Sequence, residues 1–317
     1  MPSTMMSGQG HMALACSKAG ANEYAEIAAA GRLSGDAAGT LQSYTLAQSS
    51  STSYNIGLQN GVYRWGDYSQ TVVDPNDDMT MWTFQEYCNA TDSWGVRAIQ
   101  LMAPPPATPS SASPSTLCLG QTSVSVTITG TSTSGSGFFD PGSDPGGPGF
   151  ANHISASVNG TGVTVNSISF TDPAHVTLNL SVDSGASTGT RNVTITNPDG
   201  QSATGTALLT IAAAPAAVSS TGLQYCTGRQ DCLTWPSVSG ATSYNVYRGD
   251  ASTLGNPLTA CLRFSTAGTT TGNILTETPS AGNFYWYLVT AVAGACEGSS
   301  GDATSGPRTL NSSGGCP

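Results

Sequence analysis

"VTLNLSVDSGASTGTRNVTITNPDG", Val176 to Gly200, alternates apolar and polar residues one by one. Val176, Leu178, Leu180 and Val182 fall on one side of an extended chain, and Val193 and Ile195 fall on one side of the next. Successive side chains of a strand point to opposite faces, so a period of two describes strands that bury one face and wet the other. "DSGAS" and "NPDGQ" supply the turns, because Asp, Asn, Pro and Gly each favour a bent backbone for its own reason. The same alternation runs through Val124, Val126 and Ile128, and "NGTG" and "TDPAH" punctuate it at short intervals.

About seven such strands in about a hundred residues is the pattern of an Ig-like β-sandwich. Two breaks bound it. "APPPATPSSASPST", Ala103 to Thr116, is stiffened by proline, and "AAAPAAV", Ala212 to Val218, lacks any period. Both read as linkers, at 104–116 and 213–218. The expected fold is all-β: a β segment over 1–103, a sandwich over 117–212 and a second sandwich over 219–317. In the last, "CLTWPSV", "SYNVYRG" and "FYWYLVTAV" read as strands. Trp235, Tyr244, Tyr247 and Trp286 could form a platform on which sugar rings stack, or they could pack the core. Their place inside strand patterns favours the core. The first segment is less regular: "HMALACS", "MTMWTFQEYC" and "WGVRAIQLM" read as strands, while alanine gives "ANEYAEIAAAGRL" a short helical character, against which Gly31 competes, leaving a strand followed by a loop as the alternative.

Charged residues make up 9% of the 317, against about a quarter in an average soluble protein. Serine and threonine together number 83, so the polar surface is mostly hydroxyl. The net charge of -10 includes a single lysine, Lys18, and no basic run, which argues against nucleic-acid binding because nothing would neutralise a phosphate backbone. No apolar run reaches membrane-spanning length, and the first residues lack the basic and long apolar regions of a signal peptide. A secreted protein with this sequence would be trimmed, or would begin inside a longer reading frame. Eight cysteines without a CxxC pair point to disulfides in an oxidising compartment. Cys226 with Cys232, and Cys261 with Cys296, are the expected pairs, since each falls within one segment.

Chemistry is concentrated in "RWGDYSQTVVDPNDDMTMWTFQEYC", Arg64 to Cys88. A catalytic reading would combine an arginine with Asp67, Tyr68 and Glu86. A metal reading would use Asp74, Asn76, Asp77 and Asp78 as hard oxygen ligands for calcium, although their spacing is not that of an EF-hand loop. A solvated turn explains the same residues through side-chain to backbone hydrogen bonds. On the structural reading, Trp82 and Phe84 cover one face of a central strand while Met79 and Met81 cover the other. Asp67 and Tyr68 then lock the preceding turn, and Arg64 pairs with one of the acids. With so few charged groups elsewhere to support acid-base chemistry, no catalytic residue is assigned. A second acidic loop, "FFDPGSDPGGPGF" from Phe138 to Phe150, reads as a long hairpin insertion.

Three resemblances refine this reading. "WPSVSGATSYNVYRG" followed by "YWYLVTAV" resembles a fibronectin type III domain. "GVTVNSISF", "VTLNLSVDSGASTGTRNVTITNPDG" and "ALLTI" resemble the bacterial IPT/TIG family of Ig-like domains. "RWGDYS...VDPNDDMTMWTFQEY...WGVRAIQL" is similar to the last blade of bacterial sialidase-like β-propellers, with "GQGHMALACSKAG" and "AGRLSGD" fitting the blade before it. Asp78 stands where the turn of that family usually has glycine. These resemblances imply a bacterial protein, secreted or at the cell surface, whose Ig-like modules act as spacers or adhesion units. About a hundred residues supply only one or two of the four or more blades that close a propeller ring. Of the arginines a sialidase site requires, only Arg32, Arg64 and Arg97 are candidates. The expected function is therefore that of a non-catalytic extracellular structural or adhesive protein. It would form homo-oligomers or a filament through unpaired β edges, with carbohydrate or another cell-surface molecule as ligand. The alternative is the C-terminal part of a secreted sialidase-like glycoside hydrolase.

Overall fold

The alternation at Val176–Gly200 becomes two strands whose apolar positions are closed to solvent. In His175–Val182 every second residue, Val176, Leu178, Leu180 and Val182, is buried, and in Gly189–Thr196 Val193 and Ile195 are buried likewise. The computed structural model describes residues 1–56, 58–59, 62–144, 147–254, 258–303, 306–307 and 310–316. It is all-β: among the described residues the one helical element is a 3-10 turn, Ala251–Thr253. The chain divides into two compact units. One comprises Met1–Ser115, Ser123–Ser181 and Arg191–Leu209, the other Thr116–Thr122, Val182–Thr190 and Thr210–Pro317.

The first unit begins with an antiparallel meander of β1 (Ser3–Met6), β2 (Met12–Gly20), β3 (Glu23–Arg32) and β4 (Thr45–Gln48), hydrogen-bonded in that order. A two-stranded ribbon, β5 (Leu58–Gln59) and β6 (Val62–Tyr63), follows. A three-stranded sheet then forms from β7 (Gln70–Val73), β8 (Met81–Ala90) and β9 (Ser93–Leu101), with β8 at its centre. β2 and β3 pack against β8, and β1 packs against β7. The segment with helical character is a strand, the alternative that Gly31 left open. Ile27, Ala28 and Ala29 are buried in succession in β3, and a strand covered on both faces shows no alternation. Alanine's preference for helix is worth only a few tenths of a kcal/mol per residue, roughly, over most alternatives, which pairing with β2 and β4 outweighs.

Eight further strands follow: β10 (Thr108–Ser113), β11 (Thr116–Cys118), β12 (Val124–Thr131), β13 (Ser155–Val158), β14 (Val163–Asp172), β15 (His175–Val182), β16 (Gly189–Thr196) and β17 (Ser202–Ala212). They form two four-stranded sheets, in orders β10-β12-β15-β14 and β11-β17-β16-β13. The proline-rich stretch expected at 104–116 as a linker thus contains β10 and ends on the first residue of β11. Proline cannot donate to a ladder, but among the described residues β10 is an edge strand paired only with β12, where Pro109 falls at a register shift. Residues 213–219 carry no strand. Of the acidic loop at 138–150, Phe138 is buried, while Pro145 and Gly146 lie outside the described residues.

In the second unit come β18 (Gln224–Tyr225), β19 (Leu233–Thr234), β20 (Ser243–Asp250), β21 (Leu258–Thr266), β22 (Tyr285–Ala293), β23 (Cys296–Glu297), β24 (Asp302–Ala303), β25 (Gly306–Pro307) and β26 (Leu310–Gly315). The main sheet has the order β23-β22-β20-β21-β26, with β26 parallel to β21. Leu233, Trp235, Tyr244, Val246, Leu275, Val289 and Ala291 make its core. Trp235 and Tyr244 meet edge to face at 5.6 Å, and the buried Tyr244 hydroxyl accepts the Val238 N–H at 2.8 Å. Trp235, Tyr244 and Tyr247 are therefore core residues, with Trp286 partly buried at its margin.

Three disulfides tie the second unit. Cys226 joins Cys232 as the sequence suggested, but Cys261 joins Cys316 and Cys296 joins Cys118. The expected Cys261–Cys296 pair fails because strand neighbours, and not sequence neighbours, decide. β11 runs parallel to β17 and ends on Cys118, whereas β26 brings the C-terminal residues alongside β21, where the Cys316 N–H reaches Leu262 O at 3.0 Å. Cys16 and Cys88 remain thiols, so the even count did not mean that every cysteine is paired.

Candidate functional site

The stretch from Arg64 to Cys88 divides into a turn, an exposed ion pair and one strand. Arg64 Nη2 donates to Asp67 Oδ2 at 2.6 Å, with both side chains in solvent. Tyr68 is 86% exposed and locks nothing, contrary to expectation. The turn between β6 and β7 is held elsewhere: Gly66, at a φ of 61° that favours glycine, donates its N–H to Glu86 Oε2 at 3.0 Å.

The four residues proposed as calcium ligands spend most of their oxygens on their own turn. Asp74 Oδ1 accepts the Asn76 N–H and carboxamide at 3.0 and 2.9 Å, and Oδ2 accepts the Trp82 indole at 3.1 Å. These bonds, led by the Asn76 N–H, hold its carboxyl below the usual range against the opposing effect of burial. Asp77 accepts the Met79 and Thr80 N–H groups on Oδ1 and the Thr80 hydroxyl on Oδ2. Asp78 sits at φ 53°, the left-handed conformation that explains why glycine suits this turn. Burial, followed by the charges of Asp77 and Asp144, pushes its carboxyl up more than the Gly8 N–H holds it down. Among the described residues no cluster of three or more His, Cys, Asp or Glu side chains is arranged to hold a metal.

β8 is central, as expected, but only one of its faces is covered. Met79 and Met81 are buried, and beside them the inward face is polar: Thr83 and Gln85 are buried with Thr71 of β7. Gln85 Nε2 donates to Thr83 Oγ1 at 2.8 Å and to Ser3 Oγ at 3.0 Å, and Thr71 Oγ1 donates to Thr83 Oγ1 at 3.0 Å. The outward face carries Phe84, 42% exposed. Beside it on β9 lie Val96 and Trp94, 56% and 55% exposed. The three candidate arginines are dispersed, with Arg32 ending β3, Arg64 preceding β7 and Arg97 in the middle of β9. His11 is buried and accepts the Ser34 N–H on Nδ1 at 3.0 Å, and burial lowers its pKa. His153 and His175 pair separately with Asp140 and Asp172.

A feature the sequence did not announce lies at the β2–β3 hairpin tip. Tyr24, Tyr54 and Trp65, with Asn22, Glu23 and Asn55, line a cleft of about 610 Å³, a size typical of small-molecule sites. Tyr54 and Trp65 meet edge to face at 5.1 Å with their planes 71° apart. The strap bearing Tyr54 is fastened to the β8–β9 turn: the Asp92 N–H donates to Ser53 O at 3.0 Å, and the Asn55 N–H donates to Asp92 Oδ1 at 2.7 Å. The hint in the sequence was Tyr54 isolated within "SSSTSYN", an aromatic with no strand period to account for it.

No protein-family model matches the chain, and no curated protein matches it significantly.

Proposed function

We propose that this chain is a non-catalytic extracellular structural or adhesive protein, in which Ig-like and fibronectin-like segments accompany a β segment that self-associates. One observation carries the reading: among the described residues β9 has β8 as its single strand neighbour, and it presents Val96 and Trp94 to solvent beside Phe84. An edge of this kind is a template for another chain, and apolar surface next to it favours a permanent partner over water. β4 offers a second edge, with Tyr44 and Leu46 exposed and no charged residue from Thr45 to Gln48. Pairing of β9 from one copy with β4 of the next is a head-to-tail contact, which generates filaments unless it closes into a ring. The low charge density leaves little repulsion to oppose it. Three disulfides and the absence of any sufficiently long apolar helix among the described residues are compatible with an extracellular setting.

The test is light scattering on the purified protein together with negative-stain electron microscopy. Oligomers or filaments that Val96→Lys disperses, with the circular dichroism spectrum unchanged, are the expected result. Monodisperse monomers at every concentration would overturn the proposal.

A further inference from the structure

We infer that the cleft of Tyr24, Tyr54 and Trp65 is a binding site for a neutral oligosaccharide. Sugar rings have apolar C–H faces and hydroxyl edges, so their receptor needs flat aromatic surface next to groups that donate and accept hydrogen bonds. Here both are present in one cavity. Tyr24 is 47% exposed and belongs to β3, while Tyr54 and Trp65 form two walls at 71° to each other. Among the described residues, the side chain of Asn22 and the hydroxyls of Tyr24 and Tyr54 make no hydrogen bond to protein. Asn55 uses only its Nδ2, donated to Ser53 Oγ at 2.8 Å, and keeps its Oδ1. The strap is fastened before any ligand arrives, so binding orders little additional chain.

Trp65 occupies its place at a cost. Its indole N–H is shut from solvent without an acceptor, a loss of about 1–3 kcal/mol that an all-carbon ring would avoid. What the indole adds is breadth of aromatic surface along the wall of the cleft.

The charge around the cleft selects among ligands. Lys18 Nζ binds Glu23 at 2.7 Å and Glu26 at 3.0 Å and lies 5.5 Å from the Tyr44 ring centroid. The one lysine of the chain is thereby shared by two carboxylates, which leaves one negative charge over, and no arginine is among the described residues lining the cleft, so an acidic sugar would be repelled. An aromatic cage for a quaternary ammonium would need a carboxylate free to face the rings, and Glu23 is engaged by Lys18 at 2.7 Å. Carboxamides and phenol hydroxyls are suited to hydroxyl groups, which a trimethylammonium lacks. This inference goes beyond the assembly proposed above and does not need it: a monomer could bind sugar, and a filament could fail to.

Titration calorimetry and intrinsic tryptophan fluorescence on the full chain test it. The probes are cellohexaose, xylohexaose, mannohexaose and laminarihexaose, with 3′-sialyllactose and choline as contrasting arms. Saturable binding of at least one neutral hexaose is expected, weakened about tenfold or more by Trp65→Ala and by Tyr24→Ala. Trp65→Phe should retain part of it. Tyr24 lies at an exposed hairpin end, so its variant keeps the test decisive if Trp65→Ala does not fold. Val96→Lys should leave sugar affinity unchanged, which separates this site from the assembly edge. The inference is overturned if no neutral hexaose binds at millimolar concentration. It is equally overturned if binding survives Tyr24→Ala and Trp65→Ala unchanged, or if choline or sialyllactose alone is bound.

Discussion

Removing the Cys118–Cys296 bridge should damage the second unit more than removing either of the other two. The bridge joins residues 178 apart in sequence, against 55 for Cys261–Cys316 and 6 for Cys226–Cys232. On the chain-entropy model, cross-links across loops of those lengths restrict the unfolded chain by about 5, 4 and 2 kcal/mol respectively. Structure points the same way. β11 is held by three register pairs with β17, and Leu117 beside Cys118 is fully buried. Without the bridge, β11 keeps those pairs, the bonds between its last residue and Gln121, and the burial of Leu117, the last worth about 2 kcal/mol. The double variant Cys118→Ser/Cys296→Ser is therefore expected to lower the stability of the unit by several kcal/mol. The control, Cys226→Ser/Cys232→Ser, should cost about half as much or less. Urea titration read by pulsed hydrogen exchange of the Trp235 to Val246 region reports this unit by itself. If the short-loop variant proves the more damaging, the reasoning fails. A non-reducing peptide map that links Cys296 to Cys261 would refute the pairing from which it starts.

Asp78 holds a left-handed backbone at φ 53°, so Asp78→Gly should raise the melting temperature of the first unit by relieving about 1 kcal/mol of backbone strain. Because its folded-state pKa is raised, Asp78 favours folding only when protonated, and that contribution is lost as pH rises through the raised value. Asp78→Asn should thus be more stable than the parent at neutral pH, with the difference vanishing below the ordinary carboxylate range in a pH series of thermal melts. Glu277 behaves in the opposite sense. Burial alone would raise its pKa, but the Arg263 bond at 2.9 Å and the nearby Arg248 depress it. Its contribution is present above the unfolded value and lost as pH falls through the folded one, so Glu277→Gln should destabilise the second unit at neutral pH and little in acid. Leu178, fully buried in β15, should cost about 2–5 kcal/mol when changed to alanine, as measured by urea denaturation.

What could be read in the sequence was whatever local periodicity encodes. β15 and β16 bury one face each, and their alternation is complete because the other face is wet. Trp235 and Tyr244 sat inside strand patterns and proved to be core. Non-local facts were hidden. β3 is covered on both sides, which erased its period, and its alanines suggested a helix. β10 could absorb Pro109 only because it lies at an edge, a property of the sheet and not of the segment. Phe84 was expected to be covered because both faces of its strand carry apolar residues, yet burial of the outer face depends on what stands opposite, which no periodicity records. The aromatic cleft unites positions 24, 54 and 65, drawn together by a strap whose fastenings to Asp92 leave no pattern in the chain.

The Cys118–Cys296 bridge also determines how the molecule bears a load. Tension applied between the N-terminal segment and the C-terminal end passes from Cys118 to Cys296 through the sulfurs, so residues 119 to 260 lie off the force-bearing path. These residues cannot be pulled straight while the bridge is intact. Reduction would release them as slack, about 500 Å of contour at about 3.4 Å per residue. The chain resists extension across this bridge in an oxidising medium, and becomes extensible there once its thiols are restored.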